Sequence, residues 1–243
     1  MNVLVLGANG MLGHRLLASL PGHGHRVVGT VRGKPEEFRG SVCGADTKIV
    51  GGITVESADA VERLIEAERP AVVLNCIGVV KQMAQGQDPL TAIPVNALFP
   101  HRVAKASAGS GARLIHFSTD CVFSGRAGPY SEASPPDPAD VYGRTKLLGE
   151  VNAPNALTLR TSIIGHELGE GTGFLAWVLR SKGTRVSGYA RALYTGVTTD
   201  YMARAVALLI SDFPQLCGVW HFASDPISKY DLLCLTNEIY QLQ

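Results

Sequence analysis

The chain has 243 residues, enough for one large α/β domain with a small appended lobe. Its 22 basic residues nearly balance its 21 acidic residues, and the net charge of +1 gives no electrostatic basis for binding nucleic acid. No apolar run approaches the ~18 residues of a membrane span, and the N-terminus has no basic lead. We therefore expect a cytoplasmic protein without membrane partners.

Cysteine usage excludes two further classes of protein. The chain has five cysteines, an odd number, and their spacing contains no C-x-x-C pair. Neither a disulfide framework nor a metal site is therefore predicted. The cysteines expected to be reduced thiols are Cys43, Cys76, Cys121, Cys217 and Cys234.

The first predicted elements are a strand over residues 2–6, a glycine turn over residues 7–13 and a helix over residues 14–20. The strand is a continuous apolar run, typical of a parallel strand buried on both faces. Glycines at every third position of GANGMLG would let the backbone approach a pyrophosphate at the start of the helix. A tight turn that binds nothing is the alternative. The predicted cofactor-binding residues are Gly7, Asn9, Gly10, Met11, Leu12 and Gly13.

The second predicted strand, over residues 25–31, bears on the choice of cofactor. Where NAD-selective enzymes place an acid for the adenosine 2′-hydroxyl, this chain has Thr30, Val31 and Arg32. This favours NADPH, with Arg32 paired to the 2′-phosphate. A solvent-facing loop arginine is the alternative.

The middle of the chain continues to alternate strands and helices. A short third strand is predicted near residues 48–50, a fourth over 71–76 and a fifth over 112–117, with helices over 57–68 and 92–108 between them. This alternation predicts a Rossmann-type doubly wound parallel sheet. The fourth strand would leave Cys76, Ile77 and Gly78 beside the cofactor.

Hydroxyl and carboxyl side chains follow the fifth strand, at Ser118, Thr119 and Asp120. A hydroxyl there could hydrogen-bond a substrate oxygen, with the backbone facing the nicotinamide. A small-residue turn with an Asx cap is the alternative. The polar loop over residues 125–140 has the composition of a surface loop and could act as a substrate lid.

Tyr142 and Lys146 are four residues apart, so on a helix they share one face. A free tyrosine has a pKa of about 10, too high for proton exchange at neutral pH. A cation ~4 Å away would favour the phenolate by about 4 kcal/mol, so we expect Lys146 to lower the pKa of Tyr142. For the pair taken alone, an exposed helix turn with a solvated lysine is the alternative.

Six motifs occur in order: GANGMLG, NCIG, VNA, STDCVFSG, YGRTKLLGE and LRTSIIG. Together they resemble the extended short-chain dehydrogenase/reductases, most closely the dTDP-4-dehydrorhamnose reductase branch. The resemblance implies a reductase that uses NADPH or NADH on the 4-keto group of a nucleotide-linked deoxysugar. The residues that it implies are Thr119, Tyr142 and Lys146 for catalysis, Thr119, Asp120 and Cys121 for the substrate, and Cys76, Ile77, Gly78, Ser118, Tyr142 and Lys146 for the cofactor.

The resemblance also suggests how the chain is divided. We expect an NAD(P)-binding Rossmann domain over residues 1–160 and a small substrate-binding lobe over residues 161–243, incomplete because relatives continue further. A homodimer is expected. Two alternatives stay open, a non-catalytic dinucleotide-binding regulatory subunit of the same fold and a nucleotide-sugar epimerase.

Overall fold

The computed structural model describes residues 1–42, 47–169 and 171–242, so Cys43 lies outside the described residues. The strands are β1 (Asn2–Leu6), β2 (Arg26–Thr30), β3 (Lys48–Val50), β4 (Val72–Asn75), β5 (Arg113–Thr119), β6 (Ala156–Thr161), β7 (Ile163–Ile164), β8 (Leu193–Tyr194), β9 (Val197–Thr198), β10 (Gly218–His221) and β11 (Ile227–Ser228). The α-helices are α1 (Gly13–Ser19), α2 (Pro35–Val42), α3 (Ala58–Glu68), α4 (Ala84–Gln87), α5 (Pro89–Ala92), α6 (Phe99–Gly109), α7 (Val141–Leu148), α8 (Phe174–Arg180), α9 (Thr199–Ser211) and α10 (Lys229–Tyr240). None of these described helices combines the length and apolar character that a membrane span requires.

A seven-stranded sheet lies at the centre of the described residues, in the order β10-β6-β5-β4-β1-β2-β3. Its neighbouring strands are all parallel. Val3 and Val5 of β1 join an apolar cluster with α1 and α9, whereas Leu4 and Leu6 join a second cluster with α3 and α6. Because helices cover both faces of the sheet, the predicted Rossmann-type doubly wound fold is confirmed.

Two predicted elements have different bounds in the structure. The helix predicted over residues 92–108 begins with a π-helical turn, Ile93–Leu98, in which the N–H of Phe99 donates to the carbonyl of Pro94, five residues earlier. A proline inside the run lacks the N–H of a regular helix, which explains the irregular turn. Strand β5 extends two residues further than predicted, to Thr119, because its end pairs with the end of β6.

The C-terminal part of the chain contributes to the central sheet as well as to smaller sheets. Strands β7 and β9 form one two-stranded sheet, and β8 and β11 form another. These were not predicted, because a two-residue strand carries no periodic pattern. Helix α9 packs against α1, and β10 pairs with β6. The domain boundary at residue 160 therefore stays a prediction. Helix α9 and strand β10 come after this boundary in the chain but pack against elements that come before it or span it.

The C-terminal end of α7 packs closely against the π-helical turn. A Cβ built on Gly149 would overlap the carbonyl oxygen of Asn96 and contact Ala97. The φ of Gly149 is −87°, which any residue can adopt. Glycine is therefore required here for space and not for backbone conformation.

We expect Gly149→Ala to lower the free energy of unfolding by roughly 1–3 kcal/mol, because the added methyl group overpacks this contact. Urea unfolding followed by circular dichroism measures the change. Gly109→Ala is the matched control, since a Cβ at the end of α6 meets no atom within 4 Å. Equal unfolding free energies for the two variants would contradict the steric explanation.

Candidate active site

The predicted ligand-binding segments meet at one edge of the sheet. Strands β2 and β3 lie on one side of β1, and β4, β5 and β6 lie on the other. Open α/β sheets bind ligands at such a switch point, outside the carboxyl ends of the strands. The glycine turn follows β1, Cys76 follows β4 and Thr119 ends β5. The tertiary structure therefore gathers these segments around one crevice.

Glycine is required at two positions of the turn after β1. Gly7 has a φ of +80°, in the left-handed region that favours glycine. A Cβ on Gly13 would overlap the Gly7 carbonyl oxygen. The N–H of Gly7 donates to Thr30 Oγ1 at 3.1 Å, and the N–H of Ala8 donates to the Thr30 carbonyl at 2.8 Å. The turn is thus held tightly against β2.

The remaining residues of the turn differ in exposure. Asn9 is exposed, and Gly10 and Met11 are partly buried, so all three can contact a ligand. The side chain of Leu12 is 5% exposed and packs in the hydrophobic core. Any cofactor contact by Leu12 would therefore come from its backbone.

Arg32 follows β2 and is exposed, as a residue that binds a 2′-phosphate would be. The charge of Arg32 also acts on the carboxyl group of Glu56. Hydrogen bonds of this carboxyl group with the backbone of Glu56 and with Thr54 lower its pKa most, and the charge of Arg32 lowers the pKa further. A carboxylate within electrostatic reach would compete with a phosphate for Arg32.

Asn96 holds the segment after β4, a role that the sequence analysis missed. It is fully buried in the π-helical turn. Its Oδ1 accepts from the N–H of Val79 at 3.0 Å, and its Nδ2 donates to the Val79 carbonyl at 3.1 Å. Nδ2 also lies 3.5 Å from Thr145 Oγ1 on α7. Asn96 therefore links residues 76–79 to the helix that carries Tyr142, and the VNA motif was the available signal.

The start of α7 is fixed by an acidic cap and a close backbone contact. Asp140 accepts from the N–H of Gly143 at 2.8 Å and pairs with Lys81 at 2.8 Å. A Cβ on Gly143 would overlap the carbonyl oxygen of Cys121, so this glycine lets α7 rest on the turn after β5. These contacts set the position of Tyr142 in the first turn of the helix.

Lys146 lies inside the protein and not in bulk water. It is 6% exposed, and its Nζ donates to the Phe117 carbonyl at 2.6 Å. Burial lowers the pKa of Lys146 to about 8, while Glu150 and Cys76 act in the opposite direction. Burial also raises the pKa of the Cys76 thiol, which the Lys146 charge opposes. Burial thus brings the pKa of Lys146 nearer to neutral pH, with the amine still mainly protonated at pH 7.

The net pKa of Tyr142 is raised by burial, so the lowered value expected from the charge of Lys146 is wrong in direction. Burial raises the pKa of Tyr142 above its ordinary value of 10.0. A hydrogen bond with Thr119 lowers it, and nearby acidic groups, Asp120 among them, raise it further. The sequence estimate omitted burial, and the amine of Lys146 is directed at the Phe117 carbonyl. Tyr142 is consequently a protonated phenol at neutral pH.

Ser118 and Thr119 are neighbours in β5 whose side chains point to opposite sides, as alternation along a strand requires. Thr119 Oγ1 accepts from the N–H of Cys121 at 3.1 Å and donates to Asp120 Oδ1 at 3.2 Å, on the side of the phenol. Ser118 Oγ donates to Glu150 Oε1 at 2.8 Å. The Ser118 hydroxyl is therefore directed at a buried carboxylate and not at the crevice.

The crevice thus combines a phenol, a hydroxyl and a buried amine beside a glycine turn suited to a dinucleotide. The phenol can donate a proton to an oxygen of a bound molecule, and the hydroxyl can hydrogen-bond the same oxygen. Across the part of the chain that the structure describes, no three His, Cys, Asp or Glu side chains are arranged to hold a metal ion. The fold and this geometry define the class, an extended short-chain dehydrogenase/reductase.

Residues 1–239 match the family model described as the RmlD substrate binding domain, and the chain belongs to this family. The dTDP-4-dehydrorhamnose reductase of Salmonella typhimurium is 30% identical over 235 residues, covering 92% of this chain and 73% of the relative. A probable low-salt glycan biosynthesis reductase, Agl14, of Haloferax volcanii is 31% identical over 236 residues, covering 92% and 75%. Methionine adenosyltransferase 2 subunit beta of Xenopus tropicalis is 25% identical over 257 residues, covering 98% and 72%. The resemblance read from the six motifs is confirmed.

Solved structures share the fold over the whole chain. A hypothetical dTDP-4-dehydrorhamnose reductase from Sulfolobus tokodaii has a TM-score of 0.81 and 25% identity, covering 100% of this chain and 83% of that one. The dTDP-4-dehydrorhamnose reductase of Bacillus anthracis, in complex with NADP, has a TM-score of 0.77 and 23% identity, covering 100% and 81%. At 23% identity the second likeness shows the fold alone.

We expect Asn96→Ala to lower the free energy of unfolding by roughly 1–3 kcal/mol, because the N–H and carbonyl of Val79 lose their partners inside the protein. Urea unfolding measures the change. Asn152→Ala replaces an exposed asparagine and should leave stability within about 0.5 kcal/mol of the wild-type value. A wild-type midpoint for Asn96→Ala would show that Val79 does not depend on this side chain.

Proposed function

We propose that this protein is an NAD(P)H-dependent reductase of the 4-keto group of a nucleotide-linked deoxysugar. The observation that carries the proposal is the grouping of Tyr142, Thr119 and Lys146 at the carboxyl edge of the sheet, beside the glycine turn. The reductases of Salmonella typhimurium and Haloferax volcanii support the reaction class, and the name of the first supports the substrate class.

NADPH or NADH is the cofactor in this proposal and supplies the hydride when bound. The glycine turn fits such a group, since Asn9 is exposed and a Cβ on Gly10 would meet only the Gly7 carbonyl within 4 Å. Residues 7–13 would hold the pyrophosphate, Arg32 the 2′-phosphate of NADPH, and residues 76–78 the ribose. The backbone of Ser118, and not its hydroxyl, would face the nicotinamide.

Tyr142 donates its phenolic proton to the keto oxygen of the sugar as the carbonyl carbon gains the hydride. The raised pKa of Tyr142 keeps the phenol protonated before this step. The Thr119 hydroxyl, turned from Asp120, donates to the same oxygen, and Asp120 and Cys121 contact the sugar. Lys146, with a pKa of about 8, is positively charged at neutral pH and stabilises the phenolate that Tyr142 becomes.

The assembly and location that we infer are a homodimer in the cytoplasm, without nucleic-acid partners. The near-zero net charge of +1 supports the absence of nucleic-acid binding. Exposed apolar side chains at Leu90 and Ile93, 86% and 48% accessible, support a surface between subunits. The proposed division into a Rossmann domain over residues 1–160 and a substrate lobe over residues 161–243 goes with this function.

A second candidate is a regulatory subunit that binds a dinucleotide without turnover. The 25% identity to methionine adenosyltransferase 2 subunit beta, over 98% of this chain, favours it. The grouping of phenol, hydroxyl and amine favours the reductase, because a subunit without turnover does not require all three groups.

We expect Tyr142→Phe to lower kcat/KM at least about 100-fold, because the keto oxygen loses its proton donor. The assay follows NADPH absorbance with a panel of 4-keto nucleotide sugars, and NADPH affinity is measured separately by fluorescence. Tyr201→Phe is the control, since this tyrosine is 53% exposed on α9. If the wild-type protein binds NADPH but turns over none of the sugars, the regulatory-subunit candidate replaces the reductase.

We expect Arg32→Ala to lower the ratio of NADPH affinity to NADH affinity roughly 10-fold or more, because a charge-assisted hydrogen bond to the 2′-phosphate is lost. Fluorescence titration with both cofactors measures the ratio. Arg26→Ala, an exposed arginine at the opposite end of β2, is the matched control. An unchanged ratio in Arg32→Ala would exclude Arg32 from cofactor selection.

A further inference from the structure

A buried ion pair lies beneath the helix that carries Tyr142 and Lys146. Arg160 of β6 donates from Nε to Glu150 Oε1 and from a terminal nitrogen to Glu150 Oε2, both at 2.8 Å. The two side chains are 8% and 7% exposed. Ser118 adds a third hydrogen bond to Oε1 at 2.8 Å. Glu150 is therefore held in one orientation by a planar two-point contact and a hydroxyl.

The register of the sheet is what assembles this ion pair. Ser118 of β5 and Arg160 of β6 are paired residues of adjacent parallel strands. Both side chains reach the same carboxylate, which lies two residues after the end of α7. The guanidinium of Arg160 and the hydroxyl of Ser118 thus hold the Glu150 carboxylate at one position beside β5 and β6.

Lys146 lies four residues before Glu150, and its amine is bonded to the carbonyl of Phe117, the residue before Ser118. The titratable groups that act on Lys146 come from three parts of the fold. Glu150, after α7, and Cys76, after β4, raise its pKa against the effect of burial. His116 of β5 is fully buried and neutral, because burial and then the Lys146 charge lower its pKa. Glu150 supplies the fixed negative charge in this set.

We propose that Glu150, held by Arg160 and Ser118, is a positioning residue that keeps the Lys146 ammonium charged and aligned beneath Tyr142. This inference rests on the proposed reductase function, in which Lys146 must be charged to stabilise the phenolate. It differs from a purely structural role for the ion pair, which would tie α7 to β6 without affecting the protonation of Lys146.

The ion pair also reaches the polar loop over residues 125–140. The Arg160 guanidinium lies 5.2 Å from the centre of the Phe123 ring, and its other terminal nitrogen lies 3.4 Å from His221 Nε2. The backbone N–H of His221 donates to Glu132 of the loop at 2.9 Å. Glu132 thus belongs to the same network but lies at its exposed end, which makes it a suitable control.

The test is the pH dependence of kcat/KM for Glu150→Gln, which keeps the size of the side chain and removes its charge. A group whose pKa falls loses its proton at lower pH. Glu150 raises the pKa of Lys146, which is about 8, so removing the Glu150 charge should lower this pKa. The basic limb of the profile should therefore move to lower pH by at least about one unit. We assign this limb to Lys146, because burial raises the pKa of Tyr142 above its ordinary value. The pH dependence of NADPH affinity should show the same displacement without any sugar.

Two further variants complete the design. Glu132→Gln removes a charge from the exposed end of the network and should leave the limb in place. If Glu150→Gln does not fold, the double variant Glu150→Gln with Arg160→Met removes the ion pair as a unit, which buried pairs often tolerate. The limb of the double variant should still move to lower pH, because Glu150 is among the charges that act on the pKa of Lys146 and Arg160 is not.

The possible results separate this inference from the proposed function. Wild-type turnover with an unmoved limb in the folded Glu150 variant overturns the positioning role and leaves the reductase intact. Absence of turnover in the wild-type protein overturns the reductase, and an unmoved pH dependence of NADPH affinity then overturns the positioning role as well. A displaced limb in Glu150→Gln but not in Glu132→Gln supports the inference.

Discussion

The burial of the Lys146 amine is the constraint on which the site depends. A charged amine taken out of water needs hydrogen-bonding partners and an opposite charge, or it loses its proton. Here the Phe117 carbonyl and the Glu150 carboxylate supply them, and β5 and β6 fix both. Helix α7 cannot slide along the sheet without breaking these contacts. The same arrangement therefore holds the helix that carries Tyr142 against the end of β5.

Close backbone packing makes this placement possible. Gly143 lets the first turn of α7 rest on the carbonyl of Cys121, and Gly149 lets its last turn approach Asn96. Asn96 then ties the segment after β4 to the same helix. Both ends of a two-turn helix are thus fixed sterically, and its buried face is fixed electrostatically. Such a helix gives a precise position to Tyr142, the side chain that meets the substrate oxygen in the proposed reaction.

The sequence predicted the fold more accurately than it predicted the electrostatics of the candidate site. The apolar run before GANGMLG and the regular alternation of elements are local patterns, and they predicted the parallel sheet correctly. The pKa of Tyr142 was predicted in the wrong direction, because a Coulomb estimate from spacing omits the burial of the phenol. The π-helical turn was missed because its cause, a proline within an apolar helical run, was read as part of a regular helix.

The sequence by itself determined the main strands and helices of the central sheet, their order along the chain and which polar side chains stand at strand ends, because these follow from periodicity and turn chemistry over short distances. Only the tertiary structure decided the partners of the buried polar groups. Ser118, Glu150 and Arg160 are separate in the chain and meet because β5 and β6 pair in one particular register. A shift of one residue would turn these side chains to the opposite face, and no local pattern encodes that choice.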